Sequence, residues 1–170
     1  MSHNTYTQQV GTHSHNDLDF WRAPEGVDVP DDELRFLLVP DAAESAMVSD
    51  VARQVVADQD EHADGPGQIT CALIVTLGGM LPGILLYDHL VQGRSEQQPE
   101  IRFGSVGVSL YAGPGEQLAQ PQIQQDITIP ITGETVLLVD DLIDMGGTMS
   151  FLTDYVLNRG AARSLRLVLY

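Results

Sequence analysis

The amino-acid sequence predicts an α/β fold, a doubly wound parallel sheet with helices packed on its faces. Two short, unbroken apolar runs, Ile69–Val75 and Val136–Val139, are typical of strands that are covered on both sides. Segments with apolar residues at helical spacing alternate with the predicted strands along the chain. Such alternation favours parallel strands joined by crossover helices. The length of 170 residues fits one domain better than two.

The first 34 residues are polar and show no sustained period. We therefore expect residues 1–34 to form a polar tail or an irregular cap, followed by a core domain over residues 35–170. Arg35–Val39 is predicted as a short strand. Asp41 and Glu44 stand in a capping-box arrangement, which predicts a helix that runs to about Gln59.

The middle of the chain predicts a helix, a strand and a long loop. The helix covers Met80–Val91, with Pro82 in its first turn, where proline is tolerated. Ile101–Tyr111 alternates as a strand does, and Gly104 marks a predicted bulge. Ala112–Gln125 is rich in glycine, proline and glutamine. It is predicted as a long loop of the kind that often acts as a lid.

The last part of the chain predicts two strands and a helix around the buried run at 136–139. Ile127–Ile131 is predicted as an edge strand, because Pro130 cannot donate a hydrogen bond to a neighbour. Met149–Arg159 is predicted as a helix with Gly160 at its C-terminal cap. Leu165–Tyr170 is the last predicted strand.

The charge of the chain is unusual, with a formal net charge of −16. Its 24 acidic residues face only 8 basic ones, and all eight are arginine. Nucleic acids and anionic membrane surfaces are therefore not expected partners, because both need many cationic contacts. The acidity favours solubility in one interpretation. In another it reflects a salt-rich cytoplasm, where self-repulsion is screened.

The predicted location is the cytoplasm. The N-terminus lacks the pattern of a signal peptide, and no apolar run is long enough to span a bilayer. Cys71 is the single cysteine, so no intramolecular disulfide is possible, and its apolar neighbours predict a buried thiol.

The segment Val136–Thr148 carries the clearest functional pattern. Asp140 and Asp141 follow its apolar strand, at the edge where open α/β sheets bind ligands. Gly146 and Gly147 then open a helix, whose free N–H groups suit a phosphate. The paired carboxylates suit ribose hydroxyls and a hard cation such as Mg²⁺. The segment therefore predicts a binding site for a phosphorylated sugar.

This segment resembles the phosphoribosyl pyrophosphate (PRPP) signature of type I phosphoribosyltransferases. The resemblance implies that Asp140 and Asp141 bind the ribose 2'- and 3'-hydroxyls, either directly or as ligands of Mg²⁺, the implied cofactor. The residues implied to surround the 5'-phosphate are Asp144, Met145, Gly146, Gly147 and Thr148.

Asp144 narrows the resemblance to the 6-oxopurine enzymes, which act on hypoxanthine, xanthine or guanine. In those enzymes an aspartate at this position lies near the purine N7 and is the candidate proton acceptor or donor. Relatives specific for adenine, orotate or uracil usually carry alanine or threonine there. The resemblance therefore implies that Asp144 is the catalytic residue.

Two further segments agree with the resemblance. Val75–Gly83 is similar to the pyrophosphate loop of bacterial xanthine–guanine enzymes, and Ser109 and Tyr111 are placed like the residues that open the flexible lid. The centre of the implied pyrophosphate loop consists of Thr76, Leu77, Gly78 and Gly79. The matching order of elements extends from about Arg35 to Tyr170.

Three features depart from the family pattern. Met145 stands where a threonine hydroxyl usually binds the 5'-phosphate, and Leu77 stands where the pyrophosphate loop usually carries arginine or lysine. The nearest basic residues in sequence are Arg94 and Arg102, so we expect Mg²⁺ to neutralise most of the pyrophosphate charge. The sequence stops at Tyr170, before the C-terminal hood that recognises the base in 6-oxopurine enzymes.

We therefore expect the phosphoribosyltransferase fold without its C-terminal hood. In one interpretation the hood has been truncated or lost. In the other, residues 1–34, with Trp21, supply a hood from the N-terminal side. The expected activity is transfer of ribosyl 5-phosphate from PRPP to a 6-oxopurine base, with release of pyrophosphate. The alternative is a non-catalytic module that senses PRPP or a nucleotide. The family resemblance further implies a homo-oligomer, either a dimer or a tetramer.

Overall fold

The computed structural model describes residues 5–6, 13–14, 35–36, 41–61, 67–93, 96, 98–113, 116–143 and 146–169. The strands are β1 (Thr5–Tyr6), β2 (His13–Ser14), β3 (Arg35–Phe36), β4 (Cys71–Thr76), β5 (Arg102–Gly113), β6 (Glu116–Gln125), β7 (Thr135–Asp140) and β8 (Arg163–Val168). The helices are α1 (Asp41–Glu61), α2 (Met80–Gly93) and α3 (Gly147–Asn158).

Six strands form one mixed sheet in the order β1-β8-β7-β4-β5-β6, and β2 and β3 form a separate antiparallel pair. Neighbours from β1 to β5 pair in parallel, and β6 is antiparallel to β5. The chain moves from β4 outward to β5 and β6, then returns to the other side of β4 for β7 and β8. The predicted α/β class and doubly wound sheet are confirmed, and the direction of winding reverses between β4 and β7.

Helices cover both faces of the sheet, and the central strands contribute alternate residues to two separate cores. Ala72, Leu137 and Val139 pack with apolar residues of α1 and α2 in one core. Leu73 and Leu138 pack with α3 in the other. Because both faces of β4 and β7 are covered, their sequences are apolar throughout rather than alternating.

The helices and the parallel strands agree with the sequence prediction within two residues at most of their ends. Arg159 is the C-cap residue of α3, and Gly160, the predicted cap, follows it with φ +93°, the conformation that favours glycine at a helix end. The predicted strand Arg35–Val39 is described only at Arg35–Phe36. No helix in the part of the chain that the structure describes is long and apolar enough to cross a membrane.

The predicted loop over Ala112–Gln125 is wrong, because residues 116–125 form the edge strand β6. Three register shifts interrupt its pairing with β5. An edge strand has a neighbour on one side only, so it accepts glutamine and proline better than a central strand does. Ile123 packs against the core that contains α3, which fixes the strand to the body of the domain.

The predicted edge strand Ile127–Ile131 is also wrong, because these residues have no regular strand pairing. The Thr128 side chain accepts a hydrogen bond from the Ser105 N–H at 2.8 Å, and the Thr128 N–H donates to the Ser105 carbonyl at 3.1 Å. A side-chain bond thus takes the place of part of a strand ladder. Ile131 is buried, so the apolar residues of this segment anchor an irregular connection.

Gly104 does not mark a bulge, since it pairs in register with Leu73 of β4. A Cβ atom at Gly104 would lie 2.7 Å from Ile129 Cγ1, so close packing explains the glycine. In the N-terminal segment, β1 pairs with β8 and β2 with β3, and neither pairing was predicted. The division of the chain after residue 34 remains a prediction.

Candidate active site

The candidate site lies where β4 and β7 end, at the point of the sheet where the winding reverses. A cavity of about 500 Å³ opens there between two loops and the β5–β6 hairpin. Its lining consists of Val75, Thr76, Gly78, Val108, Ser109, Leu110, Leu118, Ala119, Pro121, Asp140, Asp141, Leu142, Ile143, Gly146, Gly147, Thr148 and Met149.

Asp140 and Asp141 form the acidic floor of the cavity. Asp140 is the last residue of β7 and only 7% exposed, and its Oδ1 accepts a hydrogen bond from the Asp141 N–H at 3.1 Å. The Asp141 carbonyl accepts a bond from the Leu169 N–H at 3.1 Å, which ties this turn to the end of β8. Burial raises the pKa of Asp140 to about 7, and the Asp141 carboxylate adds to the rise, while the bond from the Asp141 N–H opposes it.

The turn between β4 and α2 lies directly against these carboxylates. A Cβ atom at Gly78 would stand 2.5 Å from Asp141 Oδ1 and 3.0 Å from Asp140 Oδ1. A Cβ atom at Gly79 would stand 2.2 Å from the Val139 carbonyl oxygen. Only glycine fits at either position without displacing a neighbour, so the backbone of the turn forms one wall of the cavity.

The turn presents backbone rather than a cation to the cavity. Thr76 and Gly78 line the cavity, but the side chain of Leu77 is 83% exposed and lies outside its lining. The Gly79 N–H donates to the Val75 carbonyl at 2.8 Å, which closes the turn, and the Thr76–Leu77 peptide bond is cis. Of the four predicted pyrophosphate-loop residues, two therefore reach the cavity with the acidic pair.

The N-terminus of α3 forms the opposite wall. Gly146 is its N-cap residue, with φ +75°, and no side chain caps the helix. A Cβ atom at Gly147 would meet nothing within 4 Å, and Thr148 lines the cavity beside it. The first N–H groups of a helix lack partners within it and carry a partial positive charge, so this wall suits a phosphate.

Two of the predicted site residues, Asp144 and Met145, lie outside the described residues. Their implied roles at the 5'-phosphate and at the purine N7 therefore stay predictions. Asp140, Asp141, Gly146, Gly147 and Thr148, the other residues predicted to bind the ribose and the 5'-phosphate, all line the same cavity.

The β5–β6 hairpin supplies an apolar wall. Ser109, predicted as a lid residue, lines the cavity from β5. Tyr111 also belongs to β5, and its side chain is outside the described part. Sequence reasoning missed Leu110, Leu118 and Pro121, which also line the cavity. Their convergence depends on how β6 pairs with β5, and the sequence gives no signal for that pairing.

No arginine lines this cavity among the residues that the structure describes. Arg102 starts β5, at the opposite end of the sheet, and its guanidinium contacts the Glu134 carboxylate at 2.7 Å. Arg159 pairs with the Asp126 carboxylate at 3.1 Å. The described walls thus offer backbone N–H groups but no cationic side chain, next to a pair of acids.

The acidic floor fits a magnesium ion that a ligand helps to hold. Asp140 and Asp141 are hard oxygen donors, and Mg²⁺ usually takes one or two carboxylates together with phosphate oxygens and water. In the described part, no group of three metal-binding side chains occurs, so a dedicated all-protein metal cage is not formed there. An ion shared with a bound phosphorylated ligand is the arrangement that these donors suit.

The family assignment from the sequence is confirmed. A family model described as the phosphoribosyl transferase domain matches residues 73–169, which is more than half of the chain and includes every residue that lines the cavity. The chain belongs to the phosphoribosyltransferase family.

Curated relatives agree with this assignment. The chain is 26% identical over 96 residues to a protein named bifunctional protein pyrR from Enterococcus faecalis, with 55% of this chain and 54% of the relative aligned. The chain thus spans about half the length of the curated relatives it matches.

Solved structures share the fold. A hypoxanthine phosphoribosyltransferase from Staphylococcus aureus aligns with a TM-score of 0.57 at 19% identity, over 74% of this chain and 61% of that one. A purine phosphoribosyltransferase from Pyrococcus horikoshii aligns with a TM-score of 0.58 at 20% identity, over 76% and 74%. The Trypanosoma cruzi hypoxanthine enzyme with its product IMP gives 0.62 at 21% identity, over 77% and 64%.

Proposed function

We propose that this protein transfers ribosyl 5-phosphate from PRPP to a 6-oxopurine base and releases pyrophosphate. The observation that carries the proposal is the close approach of the backbone at Gly78 to the carboxylates of Asp140 and Asp141, in one cavity with the start of α3. This cavity combines two carboxylates for ribose hydroxyls with two backbone walls for phosphate groups.

In this proposal each wall binds one part of PRPP. The N–H groups at Gly147 and Thr148, with the Thr148 hydroxyl, bind the 5'-phosphate. Asp140 and Asp141 accept hydrogen bonds from the ribose hydroxyls or hold Mg²⁺. The backbone of the turn at Thr76 and Gly78 faces the pyrophosphate. Positioning of this kind, rather than covalent chemistry, accounts for most of the rate in such a transfer.

Magnesium, when bound, would neutralise the pyrophosphate as it leaves. This role is larger here than in relatives with a cationic pyrophosphate loop, since Leu77 offers no charge. Asp140 and Asp141 would supply the protein ligands.

The base side of the reaction rests on residues outside the PRPP walls. We propose that Asp144 accepts or donates the proton at the purine N7, as the family resemblance implies. Leu110 and Leu118 of the hairpin would exclude water, because hydrolysis of PRPP competes with transfer. The structural similarity to hypoxanthine enzymes supports a purine as the acceptor.

A second candidate is a protein that binds PRPP or a nucleotide to regulate another process without transfer. Two observations favour it: the similarity to a relative named as bifunctional, and the exposed Leu77 in place of a cation. Both candidates use the same PRPP walls, so they differ in turnover and not in binding.

The first experiment is isothermal titration of PRPP into the full chain with and without Mg²⁺. We expect Mg²⁺-dependent binding that weakens at least tenfold in Asp140→Asn/Asp141→Asn, because the ribose hydroxyls and the ion lose their ligands. Asp154→Asn is the matched control, since Asp154 is an exposed carboxylate on α3. Equal binding by wild type and the double variant would contradict the proposed site.

Turnover separates the two candidates. Hypoxanthine, xanthine and guanine are supplied separately with PRPP and Mg²⁺, and pyrophosphate release is followed. Nucleotide formation with any of the three supports the transferase. Tight PRPP binding without nucleotide formation supports the regulatory protein.

A further inference from the structure

One face of α3 connects the phosphate wall of the cavity with the base of the β5–β6 hairpin. Thr148 lines the cavity in the first turn of the helix, and Phe151, Tyr155 and Arg159 follow at intervals of three or four residues. Side chains at this spacing lie on the same face of a helix. The rings of Phe151 and Tyr155 are stacked, with their centroids 6.2 Å apart and their planes inclined by 13°. A continuous row of side chains therefore leads away from the candidate phosphate site.

The row ends in a cluster of three polar side chains, Asp126, Tyr155 and Arg159, which we call the tether. The Asp126 carboxylate accepts hydrogen bonds from the Tyr155 hydroxyl at 2.8 Å and from the Arg159 guanidinium at 3.1 Å. The guanidinium also donates to the Tyr155 hydroxyl at 2.7 Å, and its central carbon lies 4.8 Å from the centre of the Tyr155 ring. Because each group contacts the other two, the tether fixes the direction of all three side chains.

The tether joins α3 to a strand that forms part of the cavity. Asp126 directly follows β6, and β6 contributes Leu118, Ala119 and Pro121 to the lining. We call these three residues the hairpin wall. β6 is the last strand of the sheet, and three register shifts interrupt its pairing with β5, so the ladder alone defines its position loosely. Ile123 adds apolar packing, which has no preferred direction, whereas the hydrogen bonds of the tether have one.

The tether contributes little to the stability of the fold. The Arg159 and Asp126 side chains are 49% and 57% exposed, and an ion pair at such a position is weak. The buried residues of α3 are others, namely Met149, Leu152, Thr153 and Val156. The main effect of the tether is therefore geometric, since it sets where the end of β6 lies relative to α3.

We infer that Asp126, Tyr155 and Arg159 are positioning residues, which hold the hairpin wall in a fixed place relative to the phosphate-binding start of α3. The inference rests on the proposed function, because it gives the tether a role in the use of PRPP. In that function the 5'-phosphate binds at Gly147 and Thr148, and the hairpin wall covers the ribose. The same rigid helix thus holds the phosphate at one end and the wall at the other.

A wall in a fixed place protects bound PRPP from water. When the wall is loose, water attacks C1 of the ribose and the bond between C1 and the pyrophosphate oxygen breaks. Ribose 5-phosphate, pyrophosphate and a proton are released, and no base is consumed. Because this hydrolysis competes with transfer, the tether raises the fraction of PRPP that reaches the base.

Hydrogen exchange of the full chain, with and without saturating PRPP and Mg²⁺, tests the inference. We expect PRPP to slow the exchange of residues 116–122 about fivefold in the wild type and much less in Asp126→Ala, because the wall of the variant is no longer fixed to α3. Asp154→Ala is the matched control, since Asp154 is an exposed carboxylate on α3 outside the tether. We expect Asp154→Ala to behave as the wild type does.

Tyr155→Phe provides a second variant, and Asp126→Ala/Tyr155→Phe completes a double-mutant cycle. The double variant should lose no more protection than Asp126→Ala alone, because the groups of the tether act together. In assays with a purine base, pyrophosphate release in excess of nucleotide formation should rise about fivefold in Asp126→Ala. The melting temperature should stay close to that of the wild type, because the tether is exposed.

Three results would overturn the inference. The first is PRPP that binds to the wild type without protecting residues 116–122, and the second is equal protection in the wild type and both tether variants. The third is a loss of protection in Asp154→Ala as large as that in Asp126→Ala. Isothermal titration shows whether PRPP is bound in each case. PRPP that does not bind to the wild type at all would instead contradict the proposed function, and the inference with it.

Discussion

Gly78 and Gly79 are adjacent in the chain, and the structure requires each of them for a different reason. A Cβ atom at position 78 would meet the end of the Asp141 side chain, which is able to rotate away. A Cβ atom at position 79 would meet the Val139 carbonyl, which is fixed in the central strand β7. The first contact therefore concerns the candidate site, and the second concerns the fold.

We expect Gly78→Ala to remain folded but to bind PRPP at least tenfold more weakly, because the carboxylates must move out of position. Gly79→Ala should instead lower the melting temperature by several degrees, because the turn or β7 must shift. Thermal melting and PRPP titration of both variants check this pair. Equal effects of the two variants on melting and on binding would contradict the distinction.

Asp140 gives a pH-dependent contribution to stability. Its pKa is about 7 in the folded protein against 3.8 for an ordinary aspartate, so folding disfavours the charged form. The contribution of this carboxyl group to the free energy of unfolding is fully present below about pH 4, where the group is protonated in both the folded and the unfolded protein. It is lost as the pH rises through about 7, where the group ionises in the folded protein. Ionisation costs on the order of 2 kcal/mol at pH 8, after allowance for solvent at the open cavity.

Asp140→Asn should therefore raise the free energy of unfolding of the ligand-free protein at pH 8 and have little effect at pH 4. Denaturant unfolding at both pH values measures the difference, with Asp154→Asn as the control. A stabilisation that is equal at both pH values would show that burial of the charge is not its cause.

At the residue scale the sequence predicted the polar part of the site better than the apolar part. Asp140, Asp141 and Thr148 lie in one continuous segment, so the strand–turn–helix pattern is sufficient to place them. Gly78 is distant in sequence, and only the family resemblance connected it with them. Leu118 and Pro121 come from a strand whose irregular pairing no local pattern encodes.

At the element scale, the β5–β6 hairpin is tied to α3 at its base. Asp126, directly after β6, accepts hydrogen bonds from the Tyr155 hydroxyl at 2.8 Å and from the Arg159 guanidinium at 3.1 Å. The Arg159 guanidinium also donates to the Tyr155 hydroxyl at 2.7 Å and lies over its ring. The bond from Tyr155 is the main reason that the pKa of Asp126 falls below its usual value.

Removal of the Tyr155 hydroxyl should loosen the hairpin. We expect Tyr155→Phe to speed amide hydrogen exchange in residues 122–128 about threefold, a modest effect because the Asp126 and Arg159 side chains that share the bond are exposed. Tyr87→Phe is the control, as it removes a hydroxyl from α2. Unchanged exchange in this segment would show that apolar packing of Ile123 and Ile127 alone holds the hairpin.

The elements that the sequence predicted well are those with a single strong signal. The apolar run of β4 and the periodic apolar residues of α2 and α3 each indicate both the kind of element, strand or helix, and its place in the chain. β6 has the sequence Glu-Gln-Leu-Ala-Gln-Pro-Gln-Ile-Gln-Gln, which resembles a loop in composition. It becomes a strand because β5 provides a partner, and such a tertiary cause is invisible in local sequence.

At the scale of the whole molecule, the charge of −16 makes stability depend on salt. Mutual repulsion of the acidic groups opposes the compact state, and salt screens it. We expect the melting temperature to rise steadily from low to molar KCl. Sucrose is the control, since it favours compact states without screening charge. A melting temperature that stays flat or falls with KCl would contradict both this expectation and the salt-rich cytoplasm.

The pairing of β4 with β7 has a consequence for the order in which the chain folds on the ribosome. The Thr135 N–H donates to the Thr70 hydroxyl at 3.2 Å, and 65 residues separate the two. When β4 leaves the ribosome, the strand that will cover one of its edges and the helix that will cover one of its faces are not yet synthesised. The nascent chain thus exposes an apolar strand until β7 and α3 emerge, and its early intermediates are prone to aggregation.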